Sequence, residues 1–339
     1  MQKLKIKKEN LVKLLDGLKD KTNLLAPQTD KYGDTYFTQV KDAAKIQLNH
    51  FKPVMPAVRE VLFGQVADMI RFKKGRRSTK IKSIDQSEGT VIFGLPSCDL
   101  AGIIYCDIFF TKREFVDFYY QQARKKLTLI SLVCTTPPNE SCFCAAMNQG
   151  PFLKNGFDLQ LTDLGNGYYF AEVGGRKGKA LISDQLFEEA TDEDIKQLKV
   201  IQKKAKQAAS NEMVNKKQVL EKMKQEPLKE KMIQKISDKC ISCGACNYAC
   251  PTCTCFNVVD HAGQKEGVRK RILDSCILSG YFRMAGGHNP KGDKNQRTRN
   301  RYYCKLTWDQ EKFGDSGCVG CGRCLDSCPV DIDIKEVMQ

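Results

Sequence analysis

Two stretches of this chain, "CISCGACNYACP" at 240–251 and "CVGCGRCLDSCP" at 318–329, repeat the pattern CxxCGxCxxxCP. A lone CxxC pair leaves zinc, a redox dithiol or haem attachment open. Three cysteines at CxxCxxC with a fourth before proline are more specific. A cubane iron–sulfur cluster takes three thiolates from one short loop and a fourth from elsewhere, whereas a tetrahedral zinc site uses two well-separated pairs. In two-cluster ferredoxins the fourth cysteine of each motif crosses to the other cluster. The predicted ligand sets are therefore Cys240, Cys243, Cys246 and Cys328 for one [4Fe–4S] cluster, and Cys318, Cys321, Cys324 and Cys250 for a second. Gly244 and Gly322 let each loop turn tightly, and Pro251 and Pro329 end the short helix that carries each fourth ligand.

Two features depart from a simple ferredoxin. Residues 251–317 separate the repeats, and Cys253, Cys255 and Cys276 fall within that insertion, as extra ligands, a redox dithiol or buried apolar side chains. In the N-terminal half, Cys98, Cys106, Cys134, Cys142 and Cys144 stand in "PSCDL", "YCD", "VCT" and "SCFCA". Four of them lie at strand ends or just beyond, where an α/β sheet places ligands, so a third cluster or another metal site there is open on spacing alone.

The elements that must position these residues follow from pattern. "TVIFGL" reads as a buried strand leading through Asp99, at an N-cap-like position, into an apolar helix; "REFVDFYYQQARKK" has helical spacing; "LTLISLVC" is a second buried strand. Together they make a parallel strand–helix–strand unit. "LQLTDLGNGYYFAEV" reads as a β-hairpin around "GNG". The expected fold class is an α/β N-terminal domain (1–183, with room for a third cluster), a Lys-rich helical connector (184–239) broken at Pro227, and an α-rich dicluster ferredoxin-like domain (240–339) with its insertion at 251–317.

Seventeen cysteines argue for metal or redox chemistry in a reducing compartment rather than disulfides. "MQKLKIKKENLVKLLDGLKD" alternates Lys and Leu at helical spacing and contains no apolar run suited to a signal peptide or a spanning helix, so a cytoplasmic protein with no membrane span is expected. The net charge of +15 is read mainly as solvated faces such as "FKKGRRSTKIK", and partly as an offset to anionic clusters. The basic, aromatic loop 294–305 admits RNA or single-stranded DNA, and equally a charge held near the clusters or a docking face for a partner; His288 is a weak signal read as a packed or exposed side chain. With no GxGxxG fingerprint and no P-loop, no flavin is expected on this chain.

"CISCGACNYACPTCTCFNV", "DSCILSGYFRMAGGHNP", "RTRNRYYCK" and "CVGCGRCLDSCP" resemble the electron-transfer subunits of anaerobic sulfite reductase (the A subunit) and of archaeal cytoplasmic sulfhydrogenase (the beta subunit). "LNHFKPVMPAVREVLF", "GLPSCDLAGI" and "CFCAAMNQGP" extend the resemblance over most of the chain, the connector least. It implies a non-catalytic relay in an anaerobic complex, between an FAD- and NAD(P)H-binding flavoprotein and a hydrogenase- or sulfite-reductase-type catalytic subunit, with ferredoxin as a further partner and no nucleic acid. It also implies a third [4Fe–4S] cluster on Cys98, Cys134, Cys142 and Cys144. Cys106 and Cys304 match no cysteine of the family pattern, and the family's arginine before the first of these ligands is replaced by Pro96 and Ser97. The rival readings are a thiol enzyme that itself reduces a disulfide or sulfur compound through Cys253, Cys255 or Cys276, and a subunit of a bifurcating heterodisulfide-reductase-type flavin module.

Overall fold

The computed structural model describes residues 3–49, 51–210, 214–225, 230–314 and 316–338. Its strands are β1 (Lys3–Lys7), β2 (Asn23–Thr29), β3 (Thr35–Gln39), β4 (Val66–Lys74), β5 (Thr79–Ser83), β6 (Thr90–Leu95), β7 (Leu127–Leu132), β8 (Leu159–Asp163), β9 (Tyr168–Val173), β10 (Phe187–Glu189), β11 (Phe256–Ala262) and β12 (Glu266–Leu273). The helices in the N-terminal half are α1 (Lys8–Lys19), α2 (Val58–Val61), α3 (Ser97–Thr111), α4 (Phe118–Lys126) and α5 (Arg176–Lys179). The connector supplies α6 (Asp192–Ala208), α7 (Lys216–Gln225) and α8 (Glu230–Lys239). Beyond it lie α9 (Ala245–Tyr248), α10 (Lys294–Tyr303), α11 (Asp309–Phe313), α12 (Arg323–Asp326) and α13 (Ile334–Met338).

Eight strands form one sheet in the order β10-β1-β9-β8-β7-β6-β2-β3. Its centre is parallel: β6 pairs with β2 on one side and β7 on the other, and β7 pairs with β8. Every residue of "TVIFGL" is buried, which is what a strand covered on both faces requires. One face carries α1, whose Leu11 and Leu15 are fully enclosed, each worth roughly 1.5–3 kcal/mol of burial. The other face carries α3 and α4, packed through Ile103, Phe110 and Tyr120. At Gly94, φ +82°, the β6–β7 register shifts, and the chain then turns through Pro96 into α3. Cys98 and Cys134 consequently leave adjacent parallel strands at the same sheet edge.

A second sheet, β11-β12-β4-β5, draws two strands from each side of the connector. Its β12–β4 pairing joins residues 266–272 to 66–73, which no local pattern foretells. The C-terminal part therefore contains a β-hairpin as well as helices and is not simply α-rich. α8 belongs to the C-terminal core, where Ile233 and Ile236 pack with Tyr302, Tyr303 and Leu306.

The parallel unit and the β8–β9 hairpin form as expected. The segment 184–239 carries α6, α7 and α8 but begins with β10, which joins the large sheet beside β1. Pro227 lies outside the described residues. Other local expectations change. Lys3–Lys7 is a strand paired to β9 and β10, because alternation of Lys with Leu and Ile also fits a half-buried strand edge. α4 begins only after Asp117, whose carboxylate caps Tyr120 N–H. The N-cap of α3 is Pro96; Asp99 sits inside the first turn, fully buried against a partner far along the chain.

Candidate iron–sulfur sites

In each ferredoxin motif a left-handed glycine starts the ligand helix: Gly244 (φ +79°) before α9 and Gly322 (φ +73°) before α12. Only a residue without a Cβ turns this sharply at no steric cost, and the turn places the third cysteine on the following helix. A small cavity opens between the motifs, bordered by Cys240, Cys243, Cys246 and Cys328, the predicted first ligand set. Ile236, Ile241, Ile277, Ile332 and Ile334 supply apolar walls, and Cys324 reaches the same space from the second motif.

Of the second set, Cys250 is the member contributed by the first motif. Burial pushes the Cys318 thiol up to about 12, with Cys321 and Cys250 adding to the shift. Burial likewise raises Cys324, with Cys321, Cys318 and Cys250 all contributing. Cys250 goes the other way, held well below the ordinary thiol range chiefly by its hydrogen bond with Cys253. Iron bound there would meet one ready thiolate and draw the protons from the three raised thiols.

A further small cavity is bordered by Cys98, Cys134, Cys142 and Cys144, the four N-terminal cysteines implied by the resemblance, together with Phe51 and the prolines 96, 137, 138 and 151. Cys321 of the second motif borders it as well. Burial, reinforced by Cys142 and Cys321, pushes Cys144 up to about 12. The seam is tight: Phe143 N–H donates to Gly320 O at 2.8 Å, and a Cβ on Gly320 would meet that chain at 2.6 Å. Among the described residues no three or more His, Cys, Asp or Glu gather as a single ion would need. A cubane instead requires sulfurs spread around a void, and both spaces are apolar and ringed by thiols.

Buried cations accompany the sulfurs: Arg301 and Lys305 lie in the segment 294–305, for which charge near the clusters was one reading, whereas the sequence did not single out Arg59 and Arg323. Arg323 and Asp99, 2% and 0% exposed, form a bidentate pair at 2.9 Å linking the second motif to the turn that carries Cys98. Arg323 Nη1 also lies 3.9 Å from Cys98 Sγ, so the positive charge absent at Pro96–Ser97 arrives from the other end of the chain. Arg59 Nη2 donates to the carbonyls of Cys250 and Cys253 at 2.9 and 2.5 Å. Its Nε and Nη1 are buried with no hydrogen-bond partner among the described residues. Lys305 Nζ donates to Thr252 O and Oγ1, both at 2.9 Å, and Thr252 Oγ1 is 3.2 Å from Cys250 Sγ. Arg301 donates to Asn247 Oδ1 and lies 3.7 Å from Cys253 Sγ.

These contacts favour charge near the clusters over nucleic acid for 294–305, although the segment is not a loop. The segment is a helix, capped by Asp293, that runs on into a π-helical turn at Cys304–Trp308. Arg297, Arg301 and Lys305 are buried on its inner side, and Arg297 holds the carbonyls of Ile277, Lys291 and Gly292. Their spacing of four was the signal available in the sequence.

A family model described as a 4Fe-4S dicluster domain matches residues 239–332. A sulfhydrogenase 2 subunit beta from Pyrococcus furiosus is 30% identical over 342 residues, covering all of this chain and 98% of that relative. The chain belongs to the sulfhydrogenase beta-subunit family.

Within that family framework, the cysteines outside the three sets have local partners. Cys253 shares a hydrogen bond with Cys250. Cys255 and Cys276 meet across the base of the β11–β12 hairpin, with the Tyr281 hydroxyl on Cys255 and Asn247 Nδ2 3.2 Å from Cys276 Sγ. Cys106 is fully buried in α3, its thiol 3.6 Å from Pro251 O, and Cys304 lies 3.7 Å from Asp309 Oδ1. His288 is exposed. Among the described residues no helix is long and apolar enough to cross a membrane.

Proposed function

We propose that this chain is a cytoplasmic electron-relay subunit of a multisubunit anaerobic oxidoreductase, holding three [4Fe–4S] clusters in a row. The first would be bound by Cys240, Cys243, Cys246 and Cys328, the second by Cys318, Cys321, Cys324 and Cys250, and the third by Cys98, Cys134, Cys142 and Cys144. One observation carries the reading: the second set borders both voids, through Cys324 on one side and Cys321 on the other. Three sites that share walls in this way form a continuous path from the dicluster domain to the edge of the large sheet.

Bound clusters would take up and release single electrons. The protein's own part is to exclude water with isoleucine and proline walls, to supply buried cations, and to lock the second motif against the loop 139–144 through Gly320, Gly322 and the Lys52–Asp326 pair at 2.6 Å. The partners that suit such a relay are a flavoprotein fed by NAD(P)H and a hydrogenase- or sulfite-reductase-type catalytic subunit. The buried Arg297, Arg301 and Lys305 leave the 294–305 segment poorly suited to nucleic acid.

The test is the count of iron and acid-labile sulfide in anaerobically purified protein. About 12 iron per chain is expected, at four per cubane, falling to about 8 in a Cys134→Ser, Cys144→Ser variant. About 8 in the unaltered chain would remove the N-terminal domain from the path.

The contact between Cys255 and Cys276 favours a second reading, a chain that reduces a disulfide or sulfur compound on its own thiols.

A further inference from the structure

Buried charges need a partner, because an isolated ion loses several kcal/mol of solvation in a protein interior. Arg323 has Asp99. Lys305 has Asp309 nearby, together with the Thr252 oxygens. Arg301, 5% exposed, differs from both: among the described residues no carboxylate pairs with it. Its contacts are the side-chain oxygen of Asn247 and the sulfur of Cys253, and its guanidinium borders the space lined by Cys240, Cys243, Cys246 and Cys328. Cys324, of the second ligand set, borders the same space. A guanidinium stays charged at any accessible pH. Among the described residues, the negative charge that would face it is that of sulfur, from Cys253 and from the ligand cysteines Cys246, Cys250 and Cys324.

We propose that Arg301 is the internal counter-ion of the dicluster domain, raising the reduction potential of the first cluster, the one assigned to Cys240, Cys243, Cys246 and Cys328, by stabilising its more negative, reduced form. The inference rests on the relay reading and deepens it: Arg301 is neither a ligand nor a catalytic residue, and it decides how readily the first site fills with electrons. Asn247 holds the guanidinium in place while its amide donates to Cys276, which ties the charge to the insertion between the motifs. This gives residues 251–317 a purpose that the ligand pattern alone does not, since it is the insertion that carries the cation.

The experiment is an anaerobic redox titration of the full holo-protein, followed by electron paramagnetic resonance, on the unaltered chain, Arg301→Gln and Arg301→Lys, with iron counted in each. With iron retained, Arg301→Gln is expected to lower the reduced-to-oxidised ratio at the wild-type midpoint by tenfold or more, about 59 mV for a one-electron couple. Arg301→Lys should stay within tenfold. A smaller change in Arg301→Gln overturns the proposal while leaving the clusters assigned. If Arg301→Gln loses iron, Arg301→Lys decides: restored iron supports a charge requirement, and equal loss means a role of shape and overturns it. Absence of iron from the unaltered dicluster domain would instead defeat the relay reading itself.

Discussion

Asp99→Asn tests whether the two halves of the molecule are locked together at the third site. The substitution keeps the shape of the side chain and removes its charge. Arg323 would remain 2% exposed, with Nε still donating to Pro53 O at 2.9 Å but without the carboxylate that meets Nη1 and Nη2. Burial already pushes the Asp99 carboxyl upward and Arg323 offsets that, so the pair holds its charge only jointly. Breaking a buried pair while leaving one partner charged costs about 3–5 kcal/mol. Unfolding entropy of about 2.1 cal/mol/K per residue gives about 0.7 kcal/mol/K for this 339-residue chain, so Tm should fall by about 4–7 °C. Because Asp99 adjoins Cys98, the count should also drop by about four irons per chain as the third site opens. Circular dichroism melting under anaerobic conditions, with iron analysis on the same sample, reads both effects. The double variant Asp99→Asn, Arg323→Gln should recover part of the loss, since no unpaired charge remains. A single variant that melts within about 1 °C of the unaltered protein and keeps its iron would refute the argument.

Serine in place of Cys255 or Cys276 should leave iron content and reduction by a flavoprotein partner unchanged; turnover of a disulfide or polysulfide by the isolated subunit, lost in either variant, would establish the thiol-enzyme reading instead. Glu172 supplies a pH test. Burial raises its pKa, and Gln160, donating at 2.8 Å, only partly offsets this. A carboxyl whose folded-state pKa lies above its unfolded one contributes stability that is complete below the unfolded value and is lost as pH rises through the folded value. Glu172→Gln should therefore raise Tm at pH 7 and leave it unchanged at pH 4; an equal gain at both would mean the effect is packing rather than ionisation.

The two ferredoxin motifs were legible because everything that defines them is local: three ligands, a left-handed glycine and a helix of four residues lie within a dozen positions. The parallel unit around "TVIFGL" and "LTLISLVC" was legible for a related reason, since burial on both faces makes each strand a mostly apolar run, Ser131 being tolerated because its hydroxyl donates to Leu95 O. Asp99 was misread as a cap because its partner lies 224 positions away. Lys3–Lys7 was misread because short Lys–Leu alternation fits a strand edge as well as a helix.

The sequence by itself determined the [4Fe–4S] ligand chemistry of the C-terminal part, since a cubane demands the spacing CxxCxxC wherever the loops lie. The tertiary structure alone decided three further things. It brought Cys98, Cys134, Cys142 and Cys144 around one void against Cys321, joined β4 to β12 across the connector, and turned Arg297, Arg301 and Lys305 inward. Each depends on which face of an element meets a distant one. That choice is made by burying apolar surface and matching charge over the whole chain, and residue order within any one segment does not contain it.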